Sequence, residues 1–262
     1  MSHNASAHLA TPPSKSSPAR PVSDSAAPPE YDLSYRDAFW PARAYEDQCD
    51  RIALRALLPP GGQRLLDLGA GFGRLVDEYG AYDEVTLADA STTLLDAARA
   101  RLASDPRIAF VETDAAALPF PDETFDTVVA VRLLLHFRDP EPVFREVRRV
   151  LRPGGRFIVE YPNKRHLLAA IRYLARRQDW SPTGREPHEY LEDHFSHQPA
   201  QIARQLRRTG LEPDAVRSVS LFRSAPLKER VPIGLLLGLE ARLQRPLGPL
   251  VPGPSVYVRA HR

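Results

Sequence analysis

The sequence is almost without cysteine: Cys49 stands alone among 262 residues. One thiol can form neither an internal disulfide nor a cysteine-based metal site, which excludes a disulfide scaffold and a zinc ribbon. Long apolar runs are missing too. No stretch reaches the roughly 18 residues that a membrane-spanning helix needs, and the N-terminus lacks the apolar core of a secretory signal. A reducing, cytoplasmic setting is therefore the expectation. Charge of one sign is also scarce, since 35 Lys+Arg against 33 Asp+Glu leave a formal net charge of +2. A dedicated nucleic-acid binder carries a clear basic excess, so no nucleic-acid partner is expected. What is present is 43% hydrophobic and 26% charged residues, ordinary values for a globular protein long enough for one α/β domain with additions.

Residues 1–30 are mostly Pro, Ser and Ala, a composition that cannot build a core, and read as a disordered tail. Deleting them is expected to leave the melting temperature nearly unchanged. From Tyr31 the chain turns apolar and aromatic, with Phe39, Trp40, Tyr45, Ile52, Leu54 and Leu57 predicting a helix that ends before Pro59-Pro60. Strands are predicted at 64–68, 84–88, 108–112, 125–131 and 156–161, and helices at 72–80, 92–103 and 140–150. Such alternation indicates an α/β, Rossmann-like doubly wound sheet. After Pro162 the spacing predicts helices at 163–178, 199–209 and 233–243 and strands at 216–223 and 255–260. Residues 31–262 then form one domain, with a cofactor-binding core at 60–162 and a substrate cap at 163–210.

The informative segment runs from Leu65 through Asp67, Gly69, Ala70, Gly71 and Gly73 to Arg74. Glycine belongs where backbone approaches a ligand or takes a positive φ. The third glycine comes earlier than in the dinucleotide fingerprint G-x-G-x-x-G. Asp67, just before the loop, would repel a pyrophosphate but suit a cationic amino-acid moiety. Asp89 ends the second predicted strand, 20 residues after Gly69, where an acid can accept both ribose hydroxyls or simply cap a helix. Asp114 follows the third strand and can accept from an adenine amino group or close a turn.

Leu65–Tyr79, Asp89, the stretch Thr113–Phe120, the stretch Phe125–Val129 and Val150–Gly155 together resemble, in order and spacing, the motifs of class I S-adenosylmethionine-dependent methyltransferases. The pattern is most similar to the small-molecule group that includes the ubiquinone and menaquinone C-methyltransferases, and it covers roughly residues 60–162. The resemblance implies a seven-stranded, mostly parallel sheet whose last strand runs antiparallel; the helices predicted within 163–210 then make a helical insertion before the last two strands. It implies S-adenosylmethionine as cofactor and a small molecule as methyl acceptor. By the same resemblance Gly69, Ala70, Gly71 and Gly73 line the cofactor, and Asp67 faces its methionine end. Asp89 and Ala90 hold ribose and adenine, Asp114 and Ala115 hold adenine, and Arg132 follows the fourth strand, where backbone contacts the methionine part.

Methyl transfer from a sulfonium needs alignment first; a base matters only if the acceptor must lose a proton. His136 is a candidate base or a packing residue beside the cofactor. Tyr161 and His166 flank the expected substrate side. His188, Glu189, Asp193, His194 and His197 cluster without a metal-ligand spacing, so no metal is expected. Lys164, Arg165, His166, Arg172, Arg176 and Arg177 form a basic run, either a solvated face or an attraction for anions. The apolar set Ile233, Leu235, Leu236, Leu237, Leu239 and Leu243 either packs on the sheet or covers a lipid-like substrate. Three functions compete: a small-molecule methyltransferase, a catalytically silent partner protein of the same fold, and a nicotinamide oxidoreductase. Arg74 and Asp67 weigh against the last.

Overall fold

The structure is a computed structural model and describes Leu33 and residues 35–262; the predicted tail at 1–30 lies outside the described residues. Strand β1 (Gly62–Leu68) pairs in parallel with β2 (Tyr82–Asp89), and β2 with β3 (Ile108–Glu112). On its other side β1 pairs with β4 (Phe125–Ala130), and β4 with β5 (Leu151–Pro162), again in parallel. The hairpin β6 (His188–Leu191) and β7 (His194–Ser196) forms a separate two-stranded sheet. Strand β8 (Glu212–Val219) lies at the edge, and β9 (Ser255–His261) slots between β5 and β8, antiparallel to both. The main sheet therefore has seven strands in the order β3-β2-β1-β4-β5-β9-β8.

Alternation along the strands sends neighbouring side chains to opposite faces. Leu66, Leu68, Val128, Phe157 and Val258 point to one face, which is covered by α3 (Glu141–Val150) and α5 (Pro199–Arg208). Leu65, Leu87, Val129, Ile158 and Tyr257 point to the other. There α1 (Ala44–Leu57), α2 (Thr92–Leu102) and α7 (Ile233–Leu243) cover them, with Tyr45, Cys49, Leu54, Leu95 and Leu236 buried. Asp126, from the Phe125–Val129 motif, ties two strands together. Its carboxylate accepts the backbone N–H groups of Gln63 and Arg64, at 2.8 Å each, and so fixes the start of β1.

Most elements fall where the sequence places them, and three expectations need correction. No α-helix follows the glycine loop. Residues 72–80 are turns and a 3-10 segment, Val76–Tyr79. The left-handed φ of Gly71 (53°) and Gly73 (72°) cannot belong to a right-handed helix. Side chains also take the carbonyls that a helix would use: Arg51 donates to the Arg74 oxygen at 2.8 Å, and Arg101 to those of Phe72 and Gly73. Nor is the inserted segment purely helical. Of 163–178 only α4 (Leu167–Leu174) is α-helix, and the β6–β7 hairpin follows it. Helix α5, at the end of the expected cap, buries Ile202 and Leu206 in the core beside α3. The edge strand also ends earlier than predicted, at Val219.

Candidate functional site

A cavity of about 970 Å³ opens at the C-terminal edge of β1, β2, β3 and β4. That is the upper end of the size range of small-molecule sites, with room for a nucleoside-sized ligand and a second molecule. Nine of the ten residues anticipated for cofactor contact line it: Asp67, Gly69, Ala70, Gly71, Asp89, Ala90, Asp114, Ala115 and Arg132. Gly73 does not. A Cβ there would meet Leu102 Cδ1 at 3.0 Å and Leu87 Cδ1 at 3.1 Å, so this glycine lets the loop pack on β2 and α2.

The loop is held from below. The N–H groups of Gly69 and Ala70 both donate to the Ala88 carbonyl, at 2.8 and 3.1 Å. The Gly71 N–H donates to Asp89 Oδ2 at 2.7 Å, and the Ser91 N–H to Asp89 Oδ1 at 2.8 Å. Each carboxylate oxygen keeps a lone pair for a ligand hydroxyl. Burial raises the Asp89 pKa above the usual carboxylate range, opposed by the backbone donors of Ser91, Gly71 and Ala90. Asp114 is exposed and accepts the Ala116 N–H at 2.9 Å, which presents the adjacent backbone to the cavity. Asp67 is buried, and desolvation pushes its carboxyl up to about 7 against the neighbouring Tyr79 hydroxyl and Arg74 guanidinium.

Arg132, at the end of β4, takes a left-handed φ of 62°. This turn is strained for a residue with a Cβ, and it persists because its N–H donates to the buried Glu160 carboxylate at 3.0 Å. Its guanidinium lies 3.6 Å from Asp50 of α1, and Arg74 meets the same carboxylate at 3.0 Å and also pairs with Asp47.

Sequence reasoning missed the aromatic wall. Tyr35 lines the cavity from a π-helical segment, Tyr35–Phe39, with its ring 6.2 Å from Phe72 of the glycine loop. Trp40 also lines the cavity and stacks on Arg74, 3.6 Å from guanidinium to ring centroid. The density of aromatics just before α1 was the available signal, and it reads equally as a core helix. Glu112, Thr113, Phe137 and Asp193 also line the cavity, and the motifs assign none of them to it.

The histidine candidates disperse. His136 lines the cavity, 5.0 Å between ring centroids from His194 of the hairpin. Burial, and then His194, lower its pKa to about 4. His166 caps α4, accepting the Ala169 N–H at 3.2 Å. His188 stacks on Trp180, and His197 is buried against the Leu134 carbonyl at 3.0 Å. Tyr161 is buried in the core and does not face the cavity. Lys164 leaves the basic run altogether: it is buried, and its Nζ donates to the Glu186 carbonyl at 2.6 Å.

A glycine loop with carboxylates at or just beyond three successive strand ends meets a sheet whose seventh strand is slotted antiparallel between the fifth and sixth, a Rossmann-like arrangement. Residues 66–159 match the family described as a methyltransferase domain. The demethylmenaquinone methyltransferase of Clavibacter sepedonicus is 42% identical over 115 residues, covering 43% of this chain and 47% of that one. The chain thus spans about half the length of this curated relative. The crystal structure of an S-adenosylmethionine-dependent methyltransferase from Thermotoga maritima superposes with a TM-score of 0.62 at 19% identity, over 87% of this chain and 95% of that one. The [4+2]-cyclase SpnF superposes with a TM-score of 0.56 at 23% identity, over 84% of this chain and 82% of that one. The matched stretch, residues 66–159, is thus similar to a methyltransferase domain, and it holds the glycine loop and the three acids of the cavity.

Proposed function

We propose that the chain transfers a methyl group from S-adenosylmethionine to a small-molecule acceptor in the cytoplasm. The observation that carries this reading is the convergence of Asp67, Asp89 and Asp114 on one cavity beneath left-handed glycines. The residues fit the cofactor. Side chains are absent where backbone must approach it: a Cβ on Gly71 would project into space touched only by Leu94 Cδ1 at 3.5 Å. Asp89 holds the ribose hydroxyls, and Asp114 with Ala115 the adenine. Asp67 stands beneath the methionine end, where a cation rewards its ionisation, and Ala70 and Ala90 close the walls. Arg132, with Arg74, receives the methionine carboxylate. When bound, the cofactor supplies an activated methyl on a sulfonium. The chain's own residues then orient the acceptor and exclude water, with the aromatic wall of Tyr35 and Trp40 and the hairpin bearing Asp193 and His194 around the opening.

Several observations weigh against the competing readings. An oxidoreductase of this fold sets a pyrophosphate on a helix N-terminus after the loop, and none follows this loop. A silent partner protein has no need of an intact glycine loop with three acids gathered on one cavity. The lone buried thiol of Cys49 suits a reducing compartment. Calorimetric titration with S-adenosylmethionine and with NAD tests the cofactor. A labelled-methyl screen over quinols, phenols, fatty acids and lipid headgroups tests the reaction. Binding of NAD alone, or cofactor binding with no methyl acceptor found, would defeat the reading. The SpnF likeness makes the second arm necessary, because the fold alone does not fix the chemistry.

A further inference from the structure

Helix α4 carries its apolar side chains on the side away from the protein. Its buried residue is Ala169. On the opposite face, spaced i, i+4 and i+7, stand Leu167, Ile171 and Leu174, which are 58%, 51% and 81% exposed, with Leu168 beside them at 50%. A helix packed on a core shows the reverse arrangement. The surroundings are basic: Arg172, Arg176 and Arg177 are exposed, Arg165 stands just before the helix, and residues 163–178 contain no Asp or Glu. None of these four arginines belongs to an ion pair within the described residues.

An outward apolar stripe flanked by unpaired arginines is the pattern of a helix lying in a lipid interface. Charge decides between occupants. A second copy meeting at this stripe would bring its arginines against these four. Anionic headgroups would satisfy all of them while the stripe enters the acyl boundary. We propose that α4 seats the protein on an anionic lipid surface. The attachment is peripheral: no helix among the described residues is long and apolar enough to cross a membrane. Attachment and chemistry are separate matters, and this inference holds or fails independently of the methyl acceptor.

The test is co-sedimentation of the full chain with vesicles of phosphatidylcholine alone and with phosphatidylglycerol added. The chain should pellet with the anionic vesicles and stay in solution with the neutral ones, and salt should weaken the binding. The double variant Ile171→Asp, Leu174→Asp should bind roughly 10- to 100-fold more weakly. The triple variant Arg172→Ala, Arg176→Ala, Arg177→Ala should bind about 100-fold more weakly and lose most of the salt dependence. All five positions are exposed, so unchanged circular dichroism and cofactor affinity should accompany both losses. Failure to pellet with anionic vesicles would overturn the proposal, as would an aspartate variant that binds as well as the parent. A dimer in light scattering that the aspartate variant splits would overturn it in favour of a second copy.

Discussion

Asp67 is the residue whose ionisation the fold controls most directly. Its pKa is raised to about 7, so the stability its protonated form contributes is complete below about pH 4 and is lost as pH rises through 7. A cation bound above it favours the charged form. Affinity for S-adenosylmethionine should therefore increase as pH rises from about 5.5 to 7, by at most ten-fold per unit, with proton release in calorimetry. Asp67→Asn should flatten that dependence; an equally steep slope in the variant would assign it to another group. Asp89→Ala should weaken cofactor binding by roughly 1.5–3 kcal/mol, the scale of hydrogen bonds to a charged acceptor. His136 offers a contrast. With its pKa lowered to about 4 it is neutral across the physiological range and weakly basic. A pH profile of kcat should show no inflection near 6.5 that His136→Asn removes. The acids were legible as cavity-lining residues because each lies at or just beside the C-terminal end of a strand. The lowered pKa of His136 was not, since it depends first on burial and then on His194 of a hairpin far along the chain.

Helix α7 shows how an element can look like a lid and act as a clamp. It buries Leu236 and Glu240 and leaves Ile233, Leu235 and Leu239 exposed. The Glu240 carboxylate accepts the Tyr45 hydroxyl of α1 at 2.8 Å and the N–H groups of Ser220 and Leu221 at 2.7 and 3.0 Å. It thereby ties α1 to the turn after β8. Glu240→Ala would strand two backbone donors and a buried hydroxyl, and should lower unfolding free energy by about 3 kcal/mol in denaturant titration. A loss under about 0.5 kcal/mol would mean water replaces the carboxylate. The boundaries of α7 were readable from its apolar run. The role of Glu240 was hidden, because one acid in an apolar helix reads as its solvent side.

At the scale of the whole molecule, the alternation of strands and helices from residue 62 to 162 was legible in hydrophobic pattern and turn residues, and the sheet follows it. The missing helix after the loop was not, because distant side chains of α1 and α2 claim its carbonyls. Cofactor at a hundred times its dissociation constant should add about 2.7 kcal/mol to stability and raise the melting temperature by roughly 5–10 °C. NAD at equal concentration should leave it unchanged. The place of β9 has a further consequence, one of timing. Strand β8 is made before β9, yet its partner in the sheet is β9 alone. During synthesis the first five strands of the main sheet can assemble as they emerge, whereas β8 must wait with an unpaired edge for a strand about forty residues downstream. A ribosome stalled between the two would hold a nascent chain with its cofactor cradle laid down and its sheet still open, an intermediate exposed to chaperones and to aggregation.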